Sequence, residues 1–272
     1  MYGRASFKTA EGEQVLLKVA LSPVSIEGAR KNMEAELPGW DFEAVARAAD
    51  AAWNEELSKI RIKTSDETSR EIFYTALYHT MIAPSVFCDV DGSYYGADHQ
   101  NHAPEGFTNY TTFSLWDTYR AALPLATIIH QEKMPDLVNT MLTIYRQQGK
   151  LPVWHLMGCE TDCMVGNPGV IAVADAVLKD FGGFDRELAF EALKNSAMRP
   201  DRGQDLRMKY GYIPCDLFNE AVAYDMEYAI ADGAVADVAQ KLGKEEDYRY
   251  FLKRSHSYRN FFDPQTGFMR GK

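Results

Sequence analysis

The 272 residues are 46% hydrophobic and 25% charged, with 29 basic against 39 acidic side chains and a formal charge of −10. This excludes a disordered or collagen-like chain, and the absence of a Lys/Arg cluster leaves no basic face for nucleic-acid phosphates. No stretch reaches the roughly 18 apolar residues that span a bilayer, and no signal peptide is visible in Met1–Thr9.

In chain order, Val15, Leu17, Val19 and Leu21 alternate along a segment that reads as a strand, with Ser6–Lys8 as its hairpin partner. Leu37-Pro38-Gly39-Trp40 then breaks the chain before a helix whose stripe is Phe42, Val45, Ala49, Trp53, Leu57 and Ile60. Ser65/Asp66 can cap a helix carrying Ile72, Phe73, Ala76, Leu77 and Met81. Asp91-Gly92 is a hairpin signal between Val86–Val90 and Tyr94–Tyr95. Helices are predicted over Ser114–His130, kinked at Pro124, and from Pro135 through Tyr145. Four more cover Pro168–Phe181, Asp185–Ala197, Phe218–Leu242 and Lys244–Phe262.

Helices joined by alternating short and long loops suggest an α/α toroid, with the long loops gathered on one face. A six-pair toroid needs twelve helices, and seven follow the first long one. The unpaired hairpin at one end and the unclosed ring at the other therefore read as a piece of a larger protein. The four cysteines do not form a disulfide pattern, and Cys159-x3-Cys163 lacks the second pair a zinc ribbon needs.

The densest chemistry lies in Gly149–Pro168, GKLPVWHLMGCETDCMVGNP. Glu160 sits there between Gly158 and Gly166, with Trp154 and His155 just before it, a setting suited to a general acid against a sugar. From residues alone the plainer reading is a solvated loop acid, with Trp154 a core anchor. Trp116 offers a platform for a sugar ring, and Asp117 beside it could accept bonds from two adjacent hydroxyls. Asn219-Glu220 open the helix that also carries Glu227, although helix-start acids are often caps. His99/His102 and Asp89/Asp91 have metal-like spacing without a third ligand or an EF-hand pattern. The nucleophile elbow, P-loop and dinucleotide fingerprints are absent.

The segments Ser25-Ile26-Glu27-Gly28-Ala29-Arg30, Asn32, Glu36 and Pro38-Gly39-Trp40-Asp41-Phe42 resemble the inter-domain region of glycoside hydrolase family 92, the calcium-dependent exo-α-mannosidases. Phe73–Thr80, Asp89-Val90-Asp91-Gly92, Tyr94, Phe113–Thr118 and Leu151-Pro152-Val153-Trp154 continue the likeness. Its most specific part is Glu160–Gly166, followed by Ala174-Asp175-Ala176. The resemblance implies a mainly α chain: residues 1–38 as the end of a β-sandwich, 39–63 as a helical linker, and 64–272 as the first part of an (α/α)6 barrel.

It further implies hydrolysis of terminal α-linked mannose, α-1,2 above all, from a glycan. The reaction inverts the anomeric centre, which needs an acid and a base about 6.5–9.5 Å apart. Glu160 matches the family's general acid, and Asn219-Glu220 fall where the family reads the leaving-group sugar, commonly as His-Glu. Two further departures stand out: Cys159 replaces the usual Asn before the acid, and no Gly-Asn-Asp-Asp-type base segment occurs in the chain. Calcium is implied as cofactor, with no ligand assignable here, and complete members are expected to be periplasmic or secreted. The competing expectations are a non-catalytic sugar-binding remnant or an unrelated α/α-toroid polysaccharide lyase.

Overall fold

The computed structural model describes residues 4–272, and they are mainly helical. The chain opens with α1 (Ile26–Glu36), α2 (Phe42–Leu57) and α3 (Glu67–His79), then crosses short strands β1 (Ser85–Val86), β2 (Tyr94–Tyr95), β3 (Asn101–His102), β4 (Tyr110–Thr111) and β5 (Phe113–Ser114). Next come α4 (Leu115–Thr118), α5 (Ala122–Ile129) and α6 (Met134–Gln148), then β6 (Trp154–Leu156) and β7 (Cys159–Glu160). The last part holds α7 (Pro168–Leu178), α8 (Arg186–Met198), α9 (Gln204–Tyr210), α10 (Ala221–Lys241), α11 (Glu245–Ser255) and a hairpin of β8 (Phe262–Asp263) and β9 (Phe268–Met269).

Several helices start where a side chain can take an orphan N–H. Ser25 accepts from Gly28, Asp41 from Ala44, Asp66 from Thr68, and Asp185 from both Glu187 and Leu188. The core gathers around α7, whose Val170, Val173, Ala174, Ala176 and Val177 are buried, leaving Asp175 as its one charged, partly exposed position. It packs against α6, α8 and α10, with α4 and α5 touching its flank. Small residues on α10 (Ala231, Ala236 and Ala239) let the helices approach closely, while Leu193 and Phe251 fill the space around them.

A second, polar core fixes α9, α10 and α11 to one another. Arg207 of α9 donates to Asp225 (3.1 Å) and to Asp232 of α10, to the carbonyl of Arg254 (3.0 Å) and to Ser257 (3.0 Å). Arg254 donates to Asp232 at 3.0 Å, and the Ile213 N–H donates to Asp225 at 2.7 Å. Each buried charge thus has an opposite charge and further hydrogen bonds, the condition for tolerating ions away from water.

The structure departs from the sequence reading in four places. Residues 15–21 form no β-ladder; Leu17 and Leu21 are 80% and 83% exposed, and the turn Glu13 N–H to Ala10 O (3.2 Å) joins two unpaired arms. A lone hairpin without a packing partner lacks the burial to hold together. Residues 1–3 of the expected sandwich segment lie outside the described residues. The helix expected over Ser114–His130 is two helices, broken at Tyr119–Ala121; Pro124 is the third residue of α5, where its missing N–H has no intrahelical acceptor to lose.

The Asp91-Gly92 turn forms, with Gly92 N–H donating to Asp89 O at 2.8 Å, but its arms pair elsewhere, β1 with β4 and β2 with β3. Asp89 explains the difference. Its carboxylate is drawn onto α1, accepting from Asn32 Nδ2 (2.8 Å) and Ser22 Oγ (2.7 Å), while Val90 N–H donates to Asn32 Oδ1 (2.9 Å). Gly28 permits this approach: a Cβ there would sit 2.0 Å from Asp89 Oδ2. Lastly, α9 was not anticipated, being seven residues between Gly203 and Gly211, both at positive φ.

Asp232→Leu, which leaves Arg207 and Arg254 buried without their shared carboxylate, should cost about 3–5 kcal/mol in denaturant unfolding. A loss below ~1 kcal/mol would mean the network contributes little to holding α9 and α11 against α10.

Candidate functional site

The site is built on the three-stranded ribbon β5–β6–β7, in which Phe113 faces His155, Ser114 faces Trp154, and His155 faces Glu160. The pairing joins segments about forty positions apart, and Trp116 and Asp117 follow closely on β5. The Met157–Gly158 turn between β6 and β7 has both residues at positive φ, and Met157 N–H donates to Thr111 Oγ1 at 2.6 Å. Thr112, Asp162, Arg202 and Glu220 also take positive φ around this region. Non-glycine residues in that conformation hold strain that the surrounding structure must sustain, and such strain clusters at functional sites.

Glu160 is half-buried and turned back on its own hairpin. Its Oε2 accepts from Val153 N–H (2.8 Å), and its Oε1 from Trp154 N–H (2.8 Å) and Asp162 N–H (3.0 Å). The carboxyl group is therefore oriented by main chain alone, without a side-chain partner among the described residues. Beside it Asp162 joins two cations, Lys150 and Arg202 (2.6 Å), and Arg202 also donates to the carbonyls of Asp162 (3.0 Å) and Met164. The Arg202 guanidinium lies 5.3 Å from the centre of the Tyr224 ring on α10, tying the loop to that helix. His155, across from Glu160, is buried, and burial lowers its pKa against the opposing charge of Glu160.

Trp116 is half-buried, and its indole Nε1 is buried without an acceptor among the described residues. Asp117 is exposed and accepts from Ser114 Oγ at 2.5 Å. Trp154, half-buried, takes the N–H and hydroxyl of Thr161 on its carbonyl, which closes the loop around Glu160. The ribbon thus sets Trp154 and Glu160 on neighbouring strands, while β5 leads into Trp116 and Asp117 on α4. Asn219 and Glu220 are exposed at the start of α10, and Glu220 makes no side-chain cap bond, so capping does not account for it. They stand one turn from Tyr224 and about 10 Å along the helix from Glu227, and no hydrogen bond joins them to Glu160 among the described residues.

Sequence reasoning noted Glu227 without assigning it, and missed Tyr119 and Arg120. Glu227 accepts from the Tyr119 hydroxyl (2.9 Å) and from Arg120. Burial, with Glu227 beside it, pushes the Tyr119 phenol up to about 12. The helix break between α4 and α5 is what swings both side chains towards α10, and only a signal for that break could have found them.

The described residues do not by themselves fit a calcium ion. No three His, Cys, Asp or Glu side chains converge among them. Asp89 is spent on Asn32 and Ser22, Asp91 on Lys31, and Asp98 on His102. A cavity of about 610 Å3 between α2 and α5 shares Ser114 and Thr118 with the site, but Glu160 does not line it.

Comparison with known proteins agrees along the chain. The model described as Glycosyl hydrolase family 92 catalytic domain matches residues 28–272. A family GH92 alpha-mannosidase from Bacteroides thetaiotaomicron is 43% identical with a TM-score of 0.88, over 92% of this chain and 34% of that one. A family GH92 inverting mannosidase from the same organism is 29% identical with a TM-score of 0.87, over 92% of this chain and 35% of that one. An uncharacterized secreted glycosidase of Arthroderma benhamiae is 29% identical over 95% of this chain and 32% of its own length. The chain thus spans about a third of the length of these relatives, with the α/α-barrel architecture of their catalytic domain. By this match over nearly all of its length, the chain belongs to glycoside hydrolase family 92.

Proposed function

We propose that this chain carries the acid side of an inverting exo-α-mannosidase, with Glu160 as the group that protonates the glycosidic oxygen. The observation that carries the reading is the fixed carboxyl of Glu160 on the same ribbon as Trp154, a ribbon whose outer strand β5 runs into α4 with Trp116 and Asp117. Oε1 accepts two N–H bonds and Oε2 one, so Oε2 keeps a lone-pair position for the transferable proton. Trp116 supplies a flat apolar face for a sugar ring. Asp117, exposed next to it, accepts from hydroxyls of the terminal mannose. Support for the substrate comes from a relative of 43% identity solved in complex with mannoimidazole.

Asn219 and Glu220 receive the leaving-group sugar, with α-1,2 linkages the first to test. Inversion needs a carboxylate to activate water opposite the leaving group. We assign that base to the part of the relatives' length that this chain does not span, because the expected Gly-Asn-Asp-Asp-type segment is not in its sequence. Residues 1–38, 39–63 and 64–272 then correspond to sandwich end, linker and barrel portion. Export of the complete enzyme is supported by the relative described as secreted. Calcium enters no step of this reading.

Glu160→Gln in the complete gene product should lower kcat on α-mannobiose by on the order of 10²–10⁴-fold. An aryl α-mannoside with a good leaving group should lose far less, since it needs little protonation. Equal losses on both substrates would assign Glu160 a structural role as the staple of its hairpin. Asn219→Ala should raise KM for α-mannobiose several-fold and leave the aryl mannoside unchanged; equal effects on both would remove Asn219 from the leaving-group subsite.

A further inference from the structure

Glu227 lies outside the sugar contacts proposed above, yet it touches both halves of the site. Towards the platform it holds Arg120, whose guanidinium lies 4.7 Å from the centre of the Trp116 ring and 4.6 Å from that of Tyr119. Arg120 Nε also donates to the carbonyl of Trp116 at 3.1 Å, so one side chain grips both the ring and the main chain of that residue. Towards the acid loop, Glu227 is packed on Gly166: a Cβ there would sit 2.4 Å from Glu227 Cβ. The Glu227 side chain is 13% exposed against 42% for Arg120, so the anchor is largely covered while the arm reaches out over the platform.

α4 gives Trp116 little support of its own. It is one turn long, has no side-chain cap bond, and ends at the break over Tyr119–Ala121. A helix this short does not hold its shape alone. Support for the plane of the indole can come through Arg120, which lies over the ring and is tied outside α4 to Glu227 of α10.

We propose that Arg120, anchored by Glu227, is a positioning residue for the sugar platform: it fixes the plane of Trp116 and its distance from the acid loop. This rests on Trp116 being the platform. Planarity matters here as much as charge, because a guanidinium can stack on the ring while its separate N–H groups reach Glu227 and the Trp116 carbonyl, a geometry that a point-like ammonium does not reproduce. With one face of the indole covered by Arg120, a sugar must use the opposite face or the edge.

The test uses the complete gene product labelled with 5-fluorotryptophan, the Trp116 resonance being identified by its loss in Trp116→Phe. Arg120→Met and Glu227→Gln should shift that resonance and weaken mannoimidazole binding at least tenfold, and Arg120→Lys should recover only part of the loss. In a Trp116→Ala background, Arg120→Met should add less than twofold. A Trp116 resonance unmoved in Arg120→Met, Arg120→Lys and Glu227→Gln would overturn the proposal, as would a full tenfold loss persisting without Trp116. If Trp116→Ala alone leaves binding unchanged, the sugar-platform reading falls and the proposal falls with it, whereas the resonance separately reports whether Arg120 fixes the ring.

Discussion

Three main-chain N–H groups, from Val153, Trp154 and Asp162, aim the carboxyl of Glu160, and the site depends on that aim. Main-chain donors cannot rotate away as side chains can, so the direction of the acid is set by the fold of the hairpin. The hairpin in turn needs Met157 and Gly158 at positive φ, the Thr111 hydroxyl under the Met157 N–H, and β5 alongside β6. Because β5 leads into Trp116 and Asp117, one set of backbone bonds links the Glu160 hairpin to the start of α4.

That link would mean little if α10 could drift, since Asn219, Glu220 and Glu227 all ride on it or just before it. Asp225 and Asp232, buried on the inner side of α10, are held by Arg207 and Arg254 from α9 and α11. Asp225 also accepts the Ile213 N–H, fixing the start of the segment that leads to Asn219. Ion pairs this deep contribute little net stability against well-packed apolar groups. Their directional bonds join α10 to α9 and α11 at defined points along its length.

Local chemistry made much of the fold legible. Asp41, Asp66 and Asp185 sit where caps belong, and the apolar run of Pro168–Leu178 reads as a surrounded helix. Glu160 and Trp154 were singled out because a carboxyl, glycines and a tryptophan in one loop suit sugar chemistry, Trp116 separately as a platform beside Asp117, and the family likeness added weight. What sequence did not disclose depends on distant partners. Residues 15–21 carry a strand pattern but have no ladder to join. The arms of the Asp91-Gly92 turn pair elsewhere because Asp89 is drawn onto Asn32 and Gly28, some sixty positions away. Arg120 lies inside the helix expected over Ser114–His130 and was not singled out; in the structure it sits in the break after Thr118 and reaches Glu227.

The central claim, that Glu160 supplies the proton to the leaving group, is tested most directly by the pH dependence of kcat/KM. The substrate is α-mannobiose, and the complete gene product is compared with its Glu160→Gln variant. A general acid must be protonated to act, so its ionisation produces the fall in rate on the basic side of the profile. The account predicts that this basic limb is present in the parent and absent from Glu160→Gln, whose residual rate is flat through the same range. A variant that keeps the parent's basic limb, merely lowered, would contradict it and place the acid on another residue.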